Sequence, residues 1–155
     1  FEGIPIDSGV WKKGQFSNNN DLPEVSDNVH LIKGNIFDTL PLFLKKKEIK
    51  DKDFEIIHID TDIYESSKFI LKTLFEANKL KNSIIIFDEL LHYKGFENHE
   101  LKSLYEMTKE FNFNFEWVGI RDKVIDFRKY LKNSKMKASD FRKKDFEQEA
   151  IIRVL

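Results

Sequence analysis

The sequence predicts an α/β sandwich built on a mostly parallel sheet. Two short, nearly continuous apolar runs, Phe54 to Ile59 and Ser83 to Phe87, have the length of strands buried on both faces, which is the habit of parallel sheets. Segments with helical spacing alternate with them. Each run also ends in acid, Asp60-Thr61-Asp62 and Asp88-Glu89, and polar residues at strand ends mark where open sheets bind ligands.

The elements follow in order. Residues 1–28 carry Gly3, Pro5, Gly9, Gly14, the Ser17-Asn18-Asn19-Asn20-Asp21 tract and Pro23, and read as a long loop with at most one helical turn. Val29 to Lys33 reads as a short strand stopped by Gly34-Asn35. A helix follows, capped by Asp38 or Thr39, with Pro41 in its first turn and Leu40, Phe43 and Leu44 as its apolar stripe. After the first buried strand, Glu65 to Leu80 is a helix by spacing, with Ile70, Leu71, Leu74 and Phe75 on one side. Asp62 and Glu65 have the spacing of a capping box. The second buried strand leads through Gly95 to a helix from about Asn98 to Phe111. Strands over Phe113 to Val118 and Ala150 to Leu155 complete the chain, and no repeat or heptad is visible.

Composition narrows the chemistry. The chain has 155 residues, 41% of them hydrophobic and 14% aromatic, enough for one domain with a real core. Its net charge of −1 argues against a globally basic nucleic-acid binder. The absence of cysteine excludes disulfides, thiolate zinc sites and a cysteine nucleophile, so any metal must sit on oxygen or imidazole. No apolar run approaches the roughly 20 residues of a membrane helix, and the first residues lack signal-peptide character. The expectation is a soluble, cytoplasmic protein.

The acids at the strand ends are the first candidates for function. Carboxylates brought together repel unless a cation joins them, and a hard ion such as Mg²⁺ accepts oxygen ligands while keeping waters or substrate oxygens. The bland alternative is that each acid caps the following helix, most plausibly for Asp62. His58, inside an apolar strand, reads as a hydrogen-bonded core histidine. His92 and His99 follow Asp88-Glu89 closely and could serve as a general base, although exposed loop histidines are common. Tyr64 and Tyr93 border the same strand ends and read as pocket walls. Arg121 to Lys144 holds ten basic residues against three acids, a basic insertion over 121–149 with apolar residues interleaved. It reads as a solvated helical hairpin, or else as a patch for phosphate or nucleic acid.

Together, Phe1-Glu2-Gly3-Ile4-Pro5, the string from Asn28 to Pro41, His58-Ile59-Asp60-Thr61-Asp62-Ile63-Tyr64-Glu65-Ser66-Ser67 and Ile86-Phe87-Asp88-Glu89 resemble class I S-adenosylmethionine-dependent methyltransferases. The nearest resemblance is to macrocin-type O-methyltransferases acting on sugar hydroxyls. It implies a Rossmann-like three-layer sandwich with an antiparallel C-terminal strand and a metal-assisted O-methyl transfer to a small hydroxyl acceptor. The matching positions place Mg²⁺ on Asp60, Asp88 and Glu89, with Glu89 departing from the usual Asp or Asn. Asp62 is implied as a ligand or base, His92 remains the second catalytic candidate, and Gly34, Asn35, Ile36 and Asp60 are implied to contact S-adenosylmethionine. Nothing in the sequence supplies the family's opening strand, Gly-rich turn, helix and second strand. The resemblance therefore implies a single partial domain over 1–155, N-terminally truncated, whose first buried strand becomes an open edge that recruits another chain, a homodimer above all. Two rivals stand beside it. Asp60-Thr61-Asp62 also fits the Asp-x-Asp of metal-dependent glycosyltransferases, and, with Tyr64 out of place, that of haloacid-dehalogenase-type phosphatases. The chain could also be a non-catalytic, oligomerising remnant of a methyltransferase.

Overall fold

The computed structural model describes residues 2–7, 12–19, 21–91, 93–119 and 149–155. The chain forms a mixed α/β fold. Helix α1 (Ile36–Leu44) and the short α2 (Lys47–Lys50) precede strand β1 (Ile56–Ile59), and helix α3 (Tyr64–Glu76) links it to β2 (Ile84–Phe87). A 3₁₀ turn (Phe96–Asn98) leads into α4 (Glu100–Glu110), then β3 (Phe115–Gly119) and β4 (Ala150–Val154). The sheet order is β1-β2-β4-β3. β1 and β2 are parallel, while β4 runs antiparallel to both its neighbours, so three strands share one direction and the last opposes them.

Register explains the burial. Ile57, Ile85, Ile152 and Trp117 form one row across the sheet, and Ile59, Phe87 and Ala150 another. These rows lie on the face that makes the core with Leu71, Leu74, Leu104 and Met107 of α3 and α4. The opposite face carries Ile56, Ile84, Arg153 and Glu116 in a third row, closed by an Arg153–Glu116 ion pair at 2.7 Å. Burial on both faces, expected from the continuous apolar runs, is thus not what the described residues give: Ile56 is 66% exposed. β1 is also an edge strand, with β2 on one side and no strand partner on the other among the described residues.

Helices α3 and α4 approach closely because serines meet between them, Ser67 Oγ and Ser103 Oγ lying 2.9 Å apart in full burial. Near the α3 N-terminus, Glu106 accepts hydrogen bonds from Tyr64 and Lys68. Burial alone would raise the Glu106 pKa, but these two partners hold it below the ordinary carboxylate value.

Several local expectations are corrected. Val29 to Lys33 forms no strand; Val29 and Ile32 are each 44% exposed, and a β-prone segment without a neighbour to pair with gains nothing from extension. α1 starts earlier than expected because Asn35, not Asp38 or Thr39, is its cap: the Asn35 side chain accepts from the Phe37 amide at 3.1 Å. Pro41 consequently falls in the second turn, where its missing N–H leaves the Phe37 carbonyl without its helical donor. α3 stops at Glu76 rather than Leu80 because Asn78 adopts a left-handed φ of 54°. The Asn78 amide then donates to the Phe75 carbonyl and the Lys79 amide to that of Leu74, the paired bonds of a Schellman end. The basic insertion, together with residues 120–148 as a whole, lies outside the described residues.

That helix end aims Lys79 inward. Only 7% of the residue is exposed, and its Nζ donates to the carbonyls of Ile49, Lys50 and Lys52, closing the C-terminal end of α2. Lys79→Met keeps the apolar stem but leaves three carbonyls without their charged donor. The expected loss is about 1–3 kcal/mol, read as a lowered midpoint in urea with an unchanged slope. An unaltered midpoint would show that water replaces the ammonium at no cost.

Candidate functional site

The loops that leave β1 and β2 end side by side because the strands are parallel and in register, Ile59 facing Phe87. Asp88 donates its amide to the Ile59 carbonyl at 3.0 Å, which fixes the two loop starts to each other. Asp60, Asp62, Asp88 and Glu89 consequently line one cleft of about 820 Å³, a volume suited to a small molecule or cofactor. Gly34, Asn35 and Ile36, ahead of α1, line the same cleft, as do residues of the first loop, including Glu2, Gly3 and Ile4. That loop holds its place through a backbone pair, Ile4 N–H to Gln15 C=O at 3.0 Å and Gly14 N–H to Ile4 C=O at 2.8 Å. Gly3 has φ 79°, and a Cβ there would come within 2.3 Å of the Gln15 carbonyl oxygen, so only glycine lets the two segments meet.

The structure therefore brings together Asp60, Asp62, Asp88, Glu89, Gly34, Asn35 and Ile36 of the sequence-derived set. His92 lies outside the described residues. Among the described residues, no three acidic or histidine side chains converge tightly enough to form a ready-made metal site. Asp60, Asp88 and Glu89 share a cleft without forming a preassembled cage.

Asp62 does not cap α3. Its φ is 51°, the cap position belongs to Ile63, and no side-chain cap bond forms there. A left-handed residue turns its side chain out of the capping path. Asp62 instead shares a hydrogen bond with Glu89, whose carboxyl is pushed up to about 7, first by burial, then by that bond and by the charges of Asp62, Asp88 and Asp60. Burial and the charges of the neighbouring acids thus act on Glu89 in the same direction.

His58 is not a core residue. Its side chain is 53% exposed, on the sheet face opposite the core, with Nε2 3.6 Å from Asp88 Oδ1. Strand alternation explains this, since Ile57 and Ile59 point inward and His58 must point out. His99 turns its Nδ1 to the Asp62 carbonyl at 3.2 Å, holding the β1 loop instead of standing free as a base. Tyr93 is half-buried, and burial, followed by the Glu100 charge, raises its phenol pKa. Tyr64 lies between α3 and α4, hydrogen-bonded to Glu106 under the Lys102 ammonium, and does not line the cleft.

Sequence reasoning missed Glu100. The first residue of α4 is fully buried, and neither carboxylate oxygen has a hydrogen-bond partner among the described residues. Burial pushes its pKa up to about 8. The backbone amides of Thr61 and Glu89 oppose the rise, without closing to hydrogen-bond geometry, and the charges of Glu89 and Asp60 add to it. The signal was present in the sequence: Glu100 stands four residues before Leu104, on the apolar stripe of its helix.

Among the described residues no helix is long and apolar enough to cross a membrane. Comparison with protein-family models, with curated proteins and with solved structures finds no match to this chain.

Proposed function

We propose that this chain is a methyltransferase-lineage domain that carries out divalent-metal-assisted O-methyl transfer from S-adenosylmethionine to a small hydroxyl acceptor, such as that of a sugar. The observation that carries the reading is the single cleft in which the loops after two parallel strands place Asp60, Asp62, Asp88 and Glu89 beside Gly34-Asn35-Ile36. The antiparallel course of β4, set between β2 and β3, is in keeping with the resemblance in sequence.

The donor chemistry fits a hard cation. The cleft offers only oxygen from its acids, and the like-charge part of what raises Glu89, which is second to burial, would be relieved by a divalent ion joining the group. Asp60, Asp88 and Glu89 would hold the ion, which requires their loops to draw closer than they stand. When bound, the ion orients an acceptor hydroxyl and lowers its pKa. Asp62, on the wall of the same cleft, is the group that would accept the hydroxyl proton. Gly34, Asn35 and Ile36 form the wall against which the cofactor lies, with Asp60 at the border of both ligands.

The test is transfer of a labelled methyl group from S-adenosylmethionine to a panel of sugar and catechol hydroxyls, with Mg²⁺ or with chelator. Transfer that needs Mg²⁺ supports the reading. Failure on every acceptor, with binding of a nucleoside diphosphate and Mn²⁺ instead, would favour the Asp-x-Asp glycosyltransferase chemistry. A second reading, as an oligomerising module, is favoured by the side of β1 that has no strand partner among the described residues, on a strand whose Ile56 is 66% exposed. Its mark is a stable homodimer that binds neither ligand.

A further inference from the structure

A bulky side chain on a left-handed backbone is strained, and an aromatic ring left largely in water recovers little of that cost by burial. Strain of this kind gathers where a side chain has a task outside the core. Phe16 combines both conditions. Its φ is 63°, and the residue is 63% exposed. It stands third in a turn over 14–17, closed by the Ser17 amide donating to the Gly14 carbonyl at 3.2 Å. Glycine or asparagine fills a positive-φ place of that kind without such strain.

The turn is fixed on both sides of Phe16. The Gln15 carbonyl accepts from the Ile4 amide at 3.0 Å, and Gln15 Oε1 from the Lys12 amide at 3.0 Å. Ser17 Oγ accepts from the Asn19 amide at 3.2 Å. A held turn, rather than a loose loop, therefore presents Phe16 on the wall of the cleft, beside Ile4 and Pro5. Phe37, the other aromatic residue on that wall among the described residues, is packed on Phe69 with ring centroids 4.6 Å apart.

The cleft thus joins two kinds of surface. The acids at the ends of β1 and β2 accept hydrogen bonds from hydroxyls, and the first loop contributes an exposed aromatic residue. A nucleoside presents the matching pair, ribose hydroxyls and a flat base whose face stacks on an aromatic side chain. Both ligands weighed for this cleft, S-adenosylmethionine and a nucleotide sugar, carry a nucleoside.

We propose that Phe16 is the base-stacking residue of the cleft: the turn over 14–17 holds its ring against the base of a nucleoside whose ribose hydroxyls meet the strand-end acids. The inference rests on the cleft being a ligand site, as proposed above, and needs no metal. The strain at Phe16 is then a cost to the free protein that ligand binding offsets.

The test uses Phe16→Asn and Phe16→Tyr in the whole chain, with S-adenosylhomocysteine and, separately, uridine diphosphate with Mn²⁺ as probes. Asparagine reaches a positive φ more readily than phenylalanine and lacks the aromatic ring, so ligand-free Phe16→Asn melts no lower than the parent. Its affinity for S-adenosylhomocysteine falls about tenfold, the usual cost of losing one base-stacking ring. Phe16→Tyr keeps the ring and the parental affinity. Parental affinity in Phe16→Asn would overturn the proposal and leave the methyltransferase reading standing. Binding of uridine diphosphate in place of S-adenosylhomocysteine would remove that reading instead. The same variants measured with uridine diphosphate then decide Phe16, a tenfold loss in Phe16→Asn supporting the proposal and an unchanged affinity overturning it. A parent that binds neither probe has no base to stack, and the proposal falls. A Phe16→Asn chain that melts well below the parent would make the ring a structural prop and overturn it likewise.

Discussion

On the metal-assisted reading proposed above, Asp88→Asn is expected to abolish the divalent-cation response of the protein. The side chain is 42% exposed and its recorded partner is His58 at 3.6 Å, so the neutral isostere costs the fold within about 0.5 kcal/mol. The metal-free melting temperature should therefore match that of the parent. What disappears is the cation-dependent rise, because the substitution removes one of the negative charges that draw a hard divalent cation into the cleft. Methyl transfer should fall by on the order of 10²-fold or more, the several kcal/mol of charge stabilisation that a metal contributes. Asp60→Asn gives the same pattern, while Lys72→Gln, whose partner is the surface Glu76 at 3.8 Å, changes neither quantity. An intact Mg²⁺ response in both aspartate variants would remove the metal from the account.

The second large effect is on pH. Glu100 is raised to about 8 and Glu89 to about 7, both from 4.5. Between those values the folded chain holds protons that the unfolded chain has released, so stability falls as pH rises. The contribution is fully present below about pH 4.5, is lost progressively toward pH 8 and is level beyond it. For fully buried Glu100 the loss is on the order of several kcal/mol at most. Glu106, held low by Lys68 and Tyr64, acts oppositely: its contribution is present above pH 4.5 and lost in stronger acid. In chelator, the melting temperature should therefore decline steadily from pH 5 to pH 8. Glu100→Gln should flatten that decline, and Mg²⁺ should offset it by stabilising the ionised cluster. A melting temperature that rises across this range in chelator would contradict the electrostatics described for the cleft.

The fold was legible where local pattern and tertiary context agree. The runs around Ile57 and Ile85 gave two strands, and the stripes through Leu71 and Leu104 gave the two helices that cover them. The convergence of Asp60, Asp62, Asp88 and Glu89 followed from parallel strands of matched length. Other features depend on partners that a linear reading cannot place. Val29 to Lys33 has strand composition but no strand beside it among the described residues. Continuous apolar runs announced cover on both faces, yet His58 and Ile56 stand on the more open one, where alternation against Ile57 and Ile59 puts them. Asp62 has a capping residue's chemistry but a left-handed backbone. Lys79 and Glu100 look like surface charges until the helix end and the helix stripe that carry them are located.

On the proposed function, the acid-lined cleft takes S-adenosylmethionine and a divalent cation together. The most direct measurement is the melting temperature of the chain with S-adenosylhomocysteine and Mg²⁺, separately and combined. Only binding to the folded state stabilises, so a rise of several degrees that needs both ligands and disappears in Asp88→Asn is the expected result. No shift at saturating S-adenosylhomocysteine, with or without Mg²⁺, would contradict the account.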